Sequence, residues 1–177
     1  MNTSADPPSD AAGTGRDDFG IERDALRIER RPYTDAAVAE LVRAVQAEYV
    51  VRYGGPDESP MDAAQFDPPA GIFLVGLIGS TPVACGGWRS YDDVGVEIKR
   101  MFVVSSARRR GYAARILAEL EEYARRAGKT RIRLETGTAQ PEAVAMYQRL
   151  GYQPVEPFGY YRCAPQSVHL GKTLAGG

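Results

Sequence analysis

An apolar strand, an amphipathic helix, a second strand and a second helix follow one another between residues 94 and 150. A helix that lies between two strands carries the chain back to the end where the first strand began. The two strands must therefore pair in parallel, in a sheet that helices cover. The first helix is read from Ala113, Ile116, Leu117, Leu120, Ala124 and Ala127, which recur at helical spacing and stop at Gly128, a residue suited to a C-terminal cap. Ile132 and Leu134 alternate with Arg131, Arg133 and Glu135 as a strand does. Pro141 opens the second helix, where its missing N–H costs nothing; Ala143, Val144, Tyr147 and Leu150 form its buried face, and Gly151 ends it.

The flanking segments extend this unit into a larger mixed sheet. Leu26 and Ile28 alternate with Arg27 and Glu29 over residues 25–31, a first strand. Thr34 is placed to cap a helix whose face is Val38, Leu41, Val42, Val45 and Tyr49, and which breaks at Tyr53, Gly54, Gly55 and Pro56. Residues 57–70 are acidic and Pro-bearing, with a short helical turn expected around Ala63; loops of this kind often line sites. Strand-like stretches at 72–78, 83–89 and 94–104 are joined by short turns, which implies an antiparallel meander, and 152–155 and 167–174 read as two closing strands.

At 177 residues the chain suits a single domain. Residues 1–20 are small, polar and acidic, a disordered tail by composition, so the domain is assigned to 21–177. Neither an export signal nor an apolar run of spanning length is found, and Cys85 and Cys163 form no CxxC pair, so a cytoplasmic protein without membrane attachment is expected.

Net charge is −1, yet residues 108–133 hold nine Arg or Lys against three Glu, so the remainder is correspondingly acidic. One local anion site fits this asymmetry better than a nucleic-acid surface. The basic run begins where the apolar strand enters Arg108-Arg109-Arg110-Gly111 and then the long helix. Cations in a helix's first turn oppose its dipole, a conflict that a bound phosphate would remove; a solvated charge run is the plain alternative.

Arg108-x-x-Gly111-x-Ala113, placed at that strand–helix junction, resembles the Q/R-x-x-G-x-G/A signature of the GNAT superfamily of N-acetyltransferases, with Ala113 in place of the commoner Gly. A second block, Leu134-Glu135-Thr136-Gly137 followed by residues 140–152 with Ala143, Tyr147 and Gly151-Tyr152, is similar to the A-x-x-x-Y-x-x-x-G-[FY] unit of the same superfamily. The likeness extends weakly over about 26–174. It implies an α/β fold with a mixed, mostly antiparallel sheet, helices on both faces and a central parallel strand pair that splays apart. It also implies acetyl-CoA as co-substrate, with the phosphates over Arg108, Arg109, Arg110, Gly111, Tyr112, Ala113 and Ala114. The pantetheine arm would pair with the backbone of Met101, Phe102 and Val103.

What the resemblance implies about chemistry is direct transfer to an amine in a ternary complex, without a metal. The oxyanion would be met by a backbone N–H near Val103, and Tyr147 would protonate the leaving thiolate. A base must deprotonate the ammonium. Glu97 lies 14 residues before Gly111, the offset of the glutamate base in histone acetyltransferases of the superfamily. Glu135 on the adjoining strand is the second candidate, and an ion pair with Lys99 or an Arg is the structural alternative for Glu97. Trp88, Tyr91 and residues 158–161 are candidate walls of the acceptor pocket; His169 reads as a packed residue. A non-catalytic acyl-CoA-binding or regulatory module of the same fold is the rival reading. The acceptor stays open among small amines, amino acids and protein amines; nucleic-acid partners are not expected, and a homodimer is compatible with the sequence.

Overall fold

The computed structural model describes residues 26–174, so the tail assigned to 1–20 and the Ala25 start of the first strand lie outside the described residues. Its strands are β1 (Leu26–Arg30), β2 (Gly71–Ile78), β3 (Thr81–Ser90), β4 (Gly95–Val103), β5 (Arg131–Gly137), β6 (Gln153–Pro154) and β7 (Ser167–Thr173). Its helices are α1 (Ala36–Tyr53), α2 (Tyr112–Arg126) and α3 (Pro141–Arg149), with short 3-10 turns at Ala63–Phe66 and Ser105–Ala107. The strands form one seven-stranded sheet in the order β1-β2-β3-β4-β5-β7-β6, and β4 with β5 is its parallel pair, as the crossover through α2 requires.

Residues alternate between the two faces of the sheet. On one face Leu74, Trp88, Ile98, Ile132 and Leu134 pack with Ile116, Leu117, Leu120 and Ala124 of α2, and Tyr147 and Tyr152 join them. On the other face Phe73, Val75, Leu77 and Cys85 pack with Val38 and Leu41 of α1 and with Phe66. The meander, the helix faces and the turn at Ala63 are as the periodicity predicts.

Three local readings differ. Asp35, not Thr34, caps α1: its carboxylate accepts from Ala37 N at 2.8 Å. The strand expected at 152–155 shrinks to two residues: the Tyr152 N–H bonds back to Tyr147 O at the end of α3, at 3.0 Å, and its side chain is buried in the core. Glu121, a charged residue within an apolar helix pattern, is buried at 6% exposure. It accepts from Tyr152 Oη at 3.1 Å, from Lys172 Nζ at 3.0 Å and from Arg125 at 3.1 Å, tying α2 to β7 and to the end of α3. Glu121→Leu strands these donors. It should cost about 3 kcal/mol in urea denaturation, the low end for a broken buried pair because Lys172 and Arg125 still reach water. A loss below about 1 kcal/mol would show the network to be dispensable.

Among the described residues no helix is long and apolar enough to cross a membrane.

Candidate active site

The site originates in a mismatch of strand lengths. β4 pairs with β5 from Gly95↔Arg131 to Ile98↔Leu134 and no further. Beyond that point β4 is held by β3 and β5 is held by β7. A bulge starts the separation. Between Cys85↔Phe102 and Gly87↔Lys99, β4 uses one residue more than β3, and Arg100 sits at φ 58°. Gly86 faces the bulge without a side chain, and a Cβ there would collide with the Met101 sulfur. The two strands part around a cleft of about 460 Å³, walled by Lys99, Arg100 and Met101 on one side and by Glu135, Thr136 and Tyr147 on the other. The β4 edge beyond Ile98 carries backbone groups with no β5 partner, an unpaired sheet edge inside the cleft.

Three residues placed by the strand register meet on the α1 face. Glu97 stands between Arg89 of β3 and Arg133 of β5, its partners in register, and Lys99 follows it on the same face. Its carboxylate is 4% exposed and takes Lys99 at 2.9 Å, Arg133 at 3.0 Å and Arg89 at 3.5 Å. Burial alone would raise its pKa, but these cations outweigh burial and hold the carboxyl below the usual range. The Arg133 guanidinium is itself sandwiched, 3.7 Å from the Tyr91 ring centre and 3.9 Å from that of Phe158. Glu97 is not among the residues that wall the cleft; Glu135 is. Glu135 is half-buried, accepts from Ser167 Oγ at 3.0 Å, and is pushed above the ordinary carboxylate range by burial, against the pull of that bond and of Lys99.

Tyr147 lines the cleft from α3 with 5% exposure, its ring set edge-on to Tyr152 at 5.6 Å. Burial raises its hydroxyl pKa, with nearby Tyr49 adding to the effect, so the group stays protonated at neutral pH. Tyr49, Arg100, Asp57 and Tyr161 also shape the cleft. Asp57, in the loop after α1, binds buried Arg100 at 2.6 Å, and its neighbour Glu58 N donates to Tyr161 Oη at 2.8 Å. This joins the loop after α1 to the loop before β7 as a roof over the cleft.

Met101 lines the cleft directly, and the basic loop begins beyond Val103 at the end of the same strand. Arg108 folds back onto the protein with about a third of its side chain, 36%, still exposed: its Nε donates to Val103 O at 2.9 Å and its guanidinium pairs with Glu48 of α1. Arg109 is exposed at φ 63° and Arg110 is half-buried. Gly111 caps α2 at φ 80°, with open space where a Cβ would stand. The first backbone bond of the helix runs from Arg115 N to Gly111 O, 3.1 Å, so the amides of Tyr112, Ala113 and Ala114 have no intrahelical acceptor. The Tyr112 side chain goes into the core at 2% exposure, leaving only its backbone to meet a ligand.

Of the expected aromatic walls, Tyr161 lines the cleft, whereas Trp88 lies in the core on the α2 face because its strand parity points it there. His169 is buried against Phe158, and burial keeps its pKa low. Cys85 is buried, its thiol pushed up to about 12, so it is a poor nucleophile; Cys163 is exposed. Among the described residues no group of His, Cys, Asp or Glu gathers as a metal site would. Sequence reasoning missed Tyr49, Arg100 and Lys99 as cleft residues, whereas Asp57 belongs to the 57–70 loop expected to line a site. Tyr49 was legible only as a helix-face aromatic; a bulge where the strands part was implied by the resemblance, but not that Arg100 would sit in it and line the cleft.

A family model described as Acetyltransferase (GNAT) family matches residues 38–152. An IAA acetyltransferase from Azospirillum brasilense is 32% identical over 150 residues, 84% of this chain and 98% of that protein. A crystal structure from Klebsiella pneumoniae classed as an acyl-CoA N-acyltransferase superposes with a TM-score of 0.74 at 30% identity, covering 85% of this chain and 98% of the other. An Elizabethkingia anophelis GNAT acetyltransferase with acetyl-CoA bound shares the fold, with a TM-score of 0.62 at 14% identity over 85% of this chain and 99% of that one.

Proposed function

Because this chain belongs to the acetyltransferase (GNAT) family, we propose that it is an acetyl-CoA-dependent N-acetyltransferase and that its acceptor is a primary amine. The observation that carries this reading is the cleft where β4 and β5 part, which brings an unpaired strand edge, a protonated tyrosine and a carboxylate of raised pKa to one place. The residues present fit acetyl-CoA. The β4 edge of Met101, Phe102 and Val103 has no β5 partner, and although Val103 O already accepts from Arg108, that edge can pair with the amides of the pantetheine arm, while the amides of Tyr112, Ala113 and Ala114 at a helix N-terminus suit its pyrophosphate. Gly111 keeps that approach open.

Acetyl-CoA supplies an acetyl thioester; the protein supplies protons and position. Glu135, its pKa raised by burial, takes the proton that the acceptor ammonium must shed, directly or through one water. Glu97 is held ionised by Arg89, Lys99 and Arg133, which makes it a weak base and a fixed anchor for those cations. Tyr147 gives its proton to the sulfur as the C–S bond breaks. The folded-back Arg108 acts by fixing the end of β4 against α1 rather than as a mobile phosphate ligand, which leaves that contact to Arg109, Arg110 and backbone N–H groups. The thiols of Cys85 and Cys163 agree with a reducing, cytoplasmic setting.

The direct test is purified protein with acetyl-CoA and a panel of amines, following release of free thiol. Tyr147→Phe keeps the ring and its contact with Tyr152 but removes the donor, so turnover should fall by about tenfold or more while the melting temperature holds. Normal turnover in that variant would reduce Tyr147 to a core aromatic.

A further inference from the structure

The strand register sets two charged groups of opposite sign on either side of the gap. Lys99 of β4 and Glu135 of β5 directly follow the last parallel pair, Ile98↔Leu134, and both wall the cleft. They feel each other across the gap, but neither is the other's direct partner: Glu135 takes its hydrogen bond from Ser167 and Lys99 donates to Glu97. Glu97 already has Arg133 and Arg89, so three cations share one carboxylate. Arg100 and Asp57 balance each other, and His169, opposite Glu135 in register, is kept neutral by burial. Of these three cations Lys99 is the one that lines the cleft, and an ammonium has three N–H donors, of which Glu97 occupies one.

Resting on the acetyl-transfer reading, we infer that the acceptor is an amine that also carries a carboxylate, an α-amino acid or a molecule built like one, whose carboxylate is received by Lys99 while Glu135 faces its amine. Adjacent strands lie roughly 5 Å apart and wider where they part. The amine and carboxylate of one α-carbon can therefore touch both walls at once. The cleft, about 460 Å³ and lined also by the bonded pair Glu58 and Tyr161, must admit the acetylated arm as well, so the acceptor is small.

The experiment compares each of the common L-amino acids with its own carboxamide, and with simple alkyl amines, as acceptor from acetyl-CoA. The best amino acid should exceed its carboxamide by about tenfold or more in kcat/KM, the scale of one charge-assisted contact. Lys99→Gln should bring that ratio close to one, chiefly through KM, and Lys99→Arg should retain it. Carboxamides or alkyl amines used as well as amino acids, or a ratio that survives Lys99→Gln, overturns the inference while leaving acetyl transfer standing. If no amine is acetylated, the acetyl-transfer reading falls. Calorimetry of the same amino acids and carboxamides on CoA-loaded protein then decides the remainder. Preferential binding of the carboxylate form that Lys99→Gln abolishes upholds the anion site, and equal or absent binding overturns it.

Discussion

Glu135→Gln is expected to lower kcat by about 100-fold or more, the usual scale for loss of a general base, and to do so most severely at low pH, where the acceptor is fully charged. In the parent protein kcat/KM should rise with pH through the titration of Glu135, above the ordinary carboxylate range because burial raises it. The variant should lose that limb and recover only as the amine deprotonates on its own. Its stability should move the other way. A carboxyl whose folded pKa is raised contributes stability below its unfolded pKa and loses it as pH rises through the folded value, so ionised Glu135 weakens the fold at neutral pH. Glu135→Gln should therefore melt no lower than the parent, a trade of activity for stability. Glu97→Gln has the opposite signature. Its lowered pKa contributes stability above the usual carboxylate range, lost only as pH falls through the depressed value, and removing it strands Lys99, Arg89 and Arg133. A pH profile altered by Glu97→Gln and untouched by Glu135→Gln would reverse the two assignments.

Gly111→Asp should weaken acetyl-CoA binding by about 100-fold, roughly 2.7 kcal/mol, read by calorimetry. A side chain at this residue enters open space, so the fold should survive at a cost of about 1 kcal/mol for a left-handed backbone that Asp tolerates. What it cannot tolerate is the ligand. The carboxylate would stand where the first amides of α2 point, against the pyrophosphate and in place of it at the positive end of the dipole. Gly111→Asn, which accepts the same backbone and carries no charge, should lose much less. Equal losses in the two variants would assign the effect to backbone strain, and unchanged affinity in Gly111→Asp would remove the loop from the cofactor site.

The element order was legible because it rests on periodicity: the α2 face and the alternation in β5 have single readings, and the crossover between them allows one pairing direction. Gly111 was marked by the resemblance of its loop to the family signature, and in the structure it stands as the N-cap of α2. The register was not legible. Choosing between Glu97 and Glu135 requires knowing that β4 and β5 separate immediately after Ile98 and Leu134, and that Arg89 and Arg133 flank Glu97 across two strand pairs. Such contacts join residues far apart in sequence, which periodicity within one element cannot report. The same limit hid Arg108. Its ion pair is with Glu48, 60 positions earlier on α1, a contact that the loop's own pattern does not report.

The four-residue pairing of β4 with β5 has a mechanical consequence. It makes the sheet two plates, β1 to β4 and β5 to β6, welded along a short seam at one end and open at the other. Glu97 is the rivet of that seam, since it holds cations from β3, β4 and β5 together. Anything laid into the open end acts on a lever whose fulcrum is Ile98 and Leu134, so small changes at the weld become larger changes in the width of the mouth.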